Sequence, residues 1–380
     1  MALIRLASLF ALALVFVDPV ATRPGPPANL EPESSSPLPL AVPGTSATTL
    51  SGVFSRFDHT DPLAHHQSRV VLIVLDGIRT EEFFKGAWTG RGRNARRRSP
   101  ETVMPFIHET LIQKHGAMVL GNRFAEPASR CLVNNNRYIS LPGYADLLGG
   151  TRQPNVASNR FRGVVRYPTV VDRLVGHGMQ PGEVAVFASW RHIRNVVSRA
   201  VHPDMHLDTG YQAGLQRPPW GDARYDADLM RSIDEYLDGD ASRNLRFLFV
   251  SFNDTDEWAH KSNYRNYISA LEKQDEYIRK IYTTLEERPA FRGRTTYIIT
   301  TDHGRGIGRY WAHHGRFAGS QYIWAVVHSP RPRFVSAREH SAWQRGLAAA
   351  CSHTSLGRFM FRLLDTSSAR TVEVGRKSGY

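Results

Sequence analysis

Cysteine is nearly absent from this chain, lysine is scarce, and no apolar run is long enough to cross a bilayer. Each shortage narrows the reading. The two cysteines, Cys131 and Cys351, form no metal-type spacing such as C-x-x-C. They can pair only if the fold brings them together, which sequence alone leaves open. The apolar segment Leu6 to Val17 falls short of the ~20 residues a membrane helix needs. With lysine scarce, arginine supplies nearly all of a formal net charge of +13. The densest basic run, Arg91 to Arg98, has no interleaved aromatics and belongs to no recognisable nucleic-acid module. It reads as a solvated loop, although a basic surface still favours anionic partners.

What is present divides the chain. Residues 1–22 have the layout of a secretory signal peptide, a short basic start followed by an apolar stretch, with an uncleaved N-terminal anchor as the alternative. Residues 23–66 are a linker rich in proline and serine that cannot bury a core. Residues 67–365 form one domain, and 366–380 a loose tail. The layout implies a secreted or periplasmic protein.

Within the domain, Val70 to Leu75 is a continuous apolar, β-branched run, the pattern of a strand buried on both faces of a parallel sheet. Similar runs recur at 117–120, 184–187, 247–250, 297–300 and 322–327. Helical patterns fall between them at 102–115, 169–176, 224–237 and 266–287, with later ones near 341–350 and 355–364. The alternation predicts a three-layer α/β/α sandwich around a mostly parallel central sheet.

Polar clusters stand at the ends of these strands: Asp76-Gly77 after the first, Asn253 to His260 after another, and Thr301-Asp302-His303-Gly304 after a third. His313-His314-Gly315 follows. Singly, Asp-Gly is an ordinary turn and paired histidines are ordinarily exposed. Jointly, they would meet in the crevice beyond the carboxyl ends of the strands. Aspartate with histidine suits zinc, and less often manganese or iron. There are too many such groups for one tetrahedral ion, and a pair of ions ~3.5–4 Å apart would use them. Ser140 precedes a short helical pattern beginning at Pro142. It could be a simple N-cap, and equally a nucleophile set where helix N–H groups face an anionic ester.

In this order the motifs resemble the alkaline phosphatase superfamily, and within it are most similar to nucleotide pyrophosphatase/phosphodiesterase-type metal-dependent phosphoesterases. The resemblance runs from about Arg69 to Val327 and rests on Leu75-Asp76-Gly77, Ser140-Leu141-Pro142-Gly143, Asp256 to His260, Thr301 to Gly304 and His314-Gly315. It implies an alkaline phosphatase-like fold and two divalent ions, zinc by preference and manganese as an alternative. Asp76, Ser140, Asp302 and His303 would surround one ion, and Asp256, His260 and His314 the other. Asp254 and His313 are rivals for two of these positions. Asn159 falls near a phosphate-stabilising asparagine.

Ala259 replaces the usual glycine before His260, and Tyr144 stands where sulfatases carry arginine, which weakens a sulfatase reading. The expected activity is hydrolysis of an anionic phosphoric ester, as phosphodiesterase or phosphatase, through a phosphoseryl intermediate. A phosphotransferase acting on cell-envelope glycans or lipids is the first alternative, and a sulfatase-like or non-catalytic anion-binding protein the second. The stretch Thr80 to Ser99 reads as a long basic loop over the site, and Trp190 to Trp220 as another wall.

Overall fold

Alternate residues of β1 (Arg69–Leu75) enter different cores: Val70, Leu72 and Val74 pack on one side of the sheet, Val71, Ile73 and Leu75 on the other. Beyond Arg69 the strand carries no polar residue, so neither face can be left to water. β6 (Val184–Ala188) and β8 (Phe247–Phe252) divide their side chains in the same way.

The computed structural model describes residues 68–90, 94–216, 218–329, 345–347 and 349–364. The signal-peptide and linker readings, Arg91 to Arg93, half of the helix expected near 341–350 and the tail lie outside the described residues. The remaining strands are β2 (Trp88–Thr89), β3 (Arg96–Arg97), β4 (Met118–Leu120), β5 (Cys131–Leu132), β7 (His206–Thr209), β9 (Thr295–Thr300), β10 (Tyr322–Ile323) and β11 (Ala325–His328).

A seven-stranded sheet has the order β4-β11-β9-β1-β8-β6-β7. Only β11 runs against the others, being antiparallel to both β9 and β4. Helices α2 (Ser140–Gly149), α3 (Val170–Gly176) and α7 (His353–Leu364) contribute to the first core. Helices α1 (Thr80–Lys85), α4 (Asp226–Asp238) and α6 (Tyr264–Glu286) contribute to the second. The expected three layers are present.

The departures have local causes. The helix expected over 102–115 is two pieces, Pro100–Val103 and a nine-residue π-type helix, Phe106–Lys114. Pro105 lacks an N–H and breaks the ladder between them. The Asp275 carboxylate restarts it, accepting from Phe106 N at 2.8 Å and Ile107 N at 3.0 Å. The run 322–327 is not one strand. β10 pairs with β5, and the chain crosses at Trp324 into β11 in the main sheet. The supposed basic loop 80–99 contains α1 and the β2–β3 ribbon, and Arg98 is tied to Glu272. Edge strand β7 was hidden from a search for apolar runs because His206-Leu207-Asp208-Thr209 is polar, as an edge facing water can be.

Cys131 and Cys351 form a disulfide, with Cα atoms 4.5 Å apart across 220 residues of sequence. It ties the start of α7 to the β5–β10 ribbon. Replacing both with alanine should destabilise the protein by about 3 kcal/mol. Thermal melts with and without reductant check this: reductant should lower the wild-type midpoint and leave the double variant unmoved. An unmoved wild type would mean the bond contributes nothing.

Candidate metal centre

Three adjacent strands deliver the site. Leu75 lies beside Phe252, and Val74 beside Thr300, so β8, β1 and β9 end at the same edge. The segments leaving them are stitched together. Asp76 N donates to Phe252 O at 3.0 Å, Gly77 N to Asp302 Oδ1 at 3.0 Å, and Ile78 N to the Thr301 hydroxyl at 3.1 Å. The Thr255 hydroxyl donates to Asp76 O at 2.7 Å. Helix α5 (Asp254–His260) follows β8 and sets Asp256 and His260 one turn apart on one face, 3.0 Å between Oδ2 and Nε2. His314 arrives from the loop after Gly308–Tyr310. Its Nε2 is 3.1 Å from that of His260, and its ring stacks on His303 at 4.3 Å.

Ser140 is the first residue of α2, so its hydroxyl projects from the helix N-terminus. Its Oγ is 3.5 Å from Asp76 Oδ1 and 3.4 Å from His303 Nε2. Gly143 permits this approach, because a Cβ there would lie 2.5 Å from the Asp302 carbonyl oxygen. Asn159 Oδ1 accepts from Leu141 N at 2.9 Å, bringing the asparagine against the same turn.

The electrostatics are those of a cation site. His303 Nε2 faces Asp302, Asp76 and Asp256 carboxylate oxygens at 3.4, 3.6 and 3.9 Å. Its Nδ1 lies 2.9 Å from Gly304 O, so the proton placed there leaves the Nε2 lone pair turned to the cluster. Burial pushes the His303 imidazole down to about 4 and His314 to about 3, holding both neutral. Burial, then the neighbouring carboxylates Asp302 and Asp256, push Asp76 well above the usual carboxylate range. Burial, with the charge of Asp256, pushes Asp302 up to about 6. Asp256 goes the other way: burial opposes its charge, but Arg305 and His260 hold it well below the ordinary range.

Asp302 Oδ2 is buried and, among the described residues, has no hydrogen-bond partner. An orphaned carboxylate oxygen among like charges is costly unless a cation completes it. Two sets of donor atoms lie within 4.8 Å of one another, Asp76 with Asp302 and His303, and Asp256 with His303 and His314. Mixed carboxylate and imidazole donors fit divalent ions of the zinc type.

The structure brings Asp76, Ser140, Asp256, His260, Asp302, His303 and His314 together, with Asn159 beside Ser140. The rivals lie elsewhere. His313 stacks on Phe317 at 4.8 Å. Asp254 N donates to Asp226, and burial pushes the Asp254 carboxyl up to about 9 beside Asp226 and Glu257. Ser140 is not an N-cap: Ile139 holds that place, with no side-chain bond. Nor is the N–H after Ser140 free, since Asn159 engages Leu141 and Pro142 has none.

Three residues were missed. The Tyr144 hydroxyl donates to Asp76 Oδ2 at 3.1 Å and bonds Ser251 at 2.8 Å, fixing the carboxylate. His353 Nε2 lies 3.0 Å from Thr301 O, bracing the strand end from α7. Arg305 grips Asp256. Tyr144 enters the sequence reading only as the residue where sulfatases carry arginine, Arg305 could have been flagged only by its place beside His303, and nothing flagged His353.

Among known proteins, a family model described as the Metalloenzyme superfamily matches residues 100–316. The mouse (Mus musculus) GPI ethanolamine phosphate transferase 1 is 25% identical over 272 residues, 67% of this chain and 25% of that protein. The chain thus spans about a quarter of the length of this curated relative. Among solved structures, the 2-O GAG sulfatase BT1596 superposes with a TM-score of 0.50 at 14% identity, covering 78% of this chain and 70% of its own. The lipooligosaccharide phosphoethanolamine transferase A of Neisseria meningitidis gives a TM-score of 0.50 at 14% identity, covering 80% and 56%. At such identities the structural likeness is one of fold.

Proposed function

The chain belongs to the Metalloenzyme superfamily, the alkaline phosphatase-like group, and from that premise we propose that it cleaves an anionic phosphoric ester with Ser140 as nucleophile. The observation that carries this reading is the placement of Ser140 Oγ within 3.5 Å of both Asp76 Oδ1 and His303 Nε2, at the end of a helix and beside an orphaned carboxylate oxygen.

Asp76, Ser140, Asp302 and His303 would hold one divalent ion, and Asp256, His260 and His314 the second, zinc being the best match and manganese an alternative. When bound, such ions supply Lewis-acid charge that activates a hydroxyl and offsets charge on phosphoryl oxygens. Ser140 Oγ gives up its proton and bonds to phosphorus as the ester bond breaks and the alcohol leaves with a proton; water then cleaves the Oγ–P bond, returning a proton to the hydroxyl and releasing phosphate from a monoester or a phosphate monoester from a diester. Tyr144 and Gly77 N hold Asp76 and Asp302 in place for this. Asn159 spends its carbonyl oxygen on Leu141 N, which leaves Nδ2 as the donor for a phosphoryl oxygen.

A second reading, transfer of the phosphoryl-bearing group to an alcohol instead of water, is favoured by the transferases among its relatives. Export of a catalytic domain over residues 67–365, behind a signal peptide at 1–22 and a linker at 23–66, with a tail at 366–380, is part of the proposal. The disulfide supports it, as such bonds persist outside the reducing cytoplasm. Among the described residues no helix is long and apolar enough to cross a membrane.

The test is an assay of paired aryl phosphate monoesters and diesters, with and without chelator, in water and with added alcohol acceptors. Chelator-sensitive release in water supports hydrolysis. Release that needs an alcohol supports transfer. No turnover after zinc reconstitution overturns both.

A further inference from the structure

Arg305 is an unusual neighbour for a metal ligand. It lies two residues after His303, is 1% exposed, and both terminal nitrogens of its guanidinium bond to one side of the site. Nη2 donates to both Asp256 Oδ1 and Asp256 O, the latter at 3.1 Å, and Nη1 donates to Ala312 O at 2.7 Å. Gly77 makes room for the pair: with φ at +69°, a Cβ there would strike Asp256 Oδ1 at 2.4 Å and Arg305 Nε at 2.9 Å. Asp256 therefore divides its oxygens. Oδ1 is given to Arg305, and Oδ2 is left facing His260 Nε2 at 3.0 Å.

The charge around the two ion sites proposed above is unequal as a result. Asp76 and Asp302 are two carboxylates, and among the described residues no arginine or lysine is bonded to either. Asp256 is one carboxylate already matched by a buried cation, and its companions His260 and His314 bring no negative charge. An ion entering beside Asp256 gains little from the protein's field and is repelled by a guanidinium a few ångströms away. A phosphoryl group, with its own negative charge, would restore what Arg305 cancels.

We propose that Arg305 makes the two ion sites unequal: the Asp76, Asp302 and His303 site keeps its ion, whereas the Asp256, His260 and His314 site takes its ion weakly and fills together with the anionic ester. This rests on the two-ion reading above and adds an order of assembly to it. Arg305 acts through Asp256 and is a positioning residue, touching no reacting atom.

The experiment titrates the chelator-treated full chain with zinc, by calorimetry or equilibrium dialysis, alone and with inorganic phosphate at concentrations that keep zinc in solution. The wild type should show one tight ion and a second weaker by about 100-fold or more, as a neighbouring unit charge at effective protein dielectric implies. Phosphate should tighten only the second, by about 10-fold or more. Arg305→Met should close most of the gap, and Arg305→Lys should keep it. Circular dichroism checks that the variants fold, and the wild-type titration decides the question if they do not. Two ions of equal affinity in the wild type overturn the proposal alone, as does a second site that never fills with phosphate present. Failure to bind any zinc removes the two-ion reading itself, and this proposal with it.

Discussion

Ser140→Ala should cut turnover of the best phosphoric ester by about 10³-fold or more while the protein keeps its bound metal. The separation of the two effects follows from what Oγ does. It is one donor among several around Asp76 and His303, and the other groups bonded to Asp76 and Asp302, the Tyr144 hydroxyl and Gly77 N, are untouched by the change. Alanine is at least as good a helix former as serine at the head of α2, and Ser140 is not the capping residue. The fold therefore has no reason to respond. Turnover and metal content on the same sample check it. Wild-type turnover would remove Ser140 as nucleophile, and loss of both metal and activity would make it primarily a ligand.

Asp302→Asn should have effects of opposite sign in the two states of the protein. With metal, it removes charge from the most buried carboxylate of the cluster, and affinity for the first ion should fall by about 100-fold or more, with activity following. Without metal, it should stabilise the fold. Burial and Asp256 push the Asp302 carboxyl up to about 6. An unfolded aspartate titrates near 3.9, so between about pH 4 and 6 the folded, metal-free chain binds more protons than the unfolded one. Its stability thus falls as pH rises through that window, and is lowest above it, where the carboxylate is forced to ionise beside its neighbours. Asparagine carries no such charge and keeps an oxygen for Gly77 N. At neutral pH the chelated variant should melt about 3 °C above the chelated wild type. A lower midpoint in the chelated variant would show that the carboxylate cluster is not strained without its ion.

Much of this was legible because the site sits where a parallel sheet must put it. Val70 to Leu75 has to be buried on both faces, which fixes β1 in the interior of the sheet, and Asp76 follows directly. Asp302 likewise stands two residues beyond Thr300, where β9 ends. What escaped was support carried by long-range contacts. No local pattern links Tyr144 to Ser251, His353 to Thr301, or Asp275 to Phe106, and only the folded chain makes these pairs. The placing of Asp256, and not Asp254, against His260 was legible in the four-residue step between them, which is a helical turn. The break at Pro105 was written in the sequence and was overridden by an otherwise helical apolar pattern.

The pairing of Leu75 with Phe252 and of Val74 with Thr300 carries a consequence for how such a protein can change over time. A deletion of one residue within β1 would draw Asp76 back by ~3.3 Å and turn successive side chains to the opposite face. Asp76 would then point away from Asp302, and no adjustment of nearby side chains could recover it. The connections between the strands face no such constraint and can lengthen, shorten or be replaced. Lineages derived from this scaffold should therefore differ freely in their connecting segments, and with them in what they recognise. Insertions and deletions inside β1, β8 and β9 should be almost unknown in any descendant that still turns over substrate.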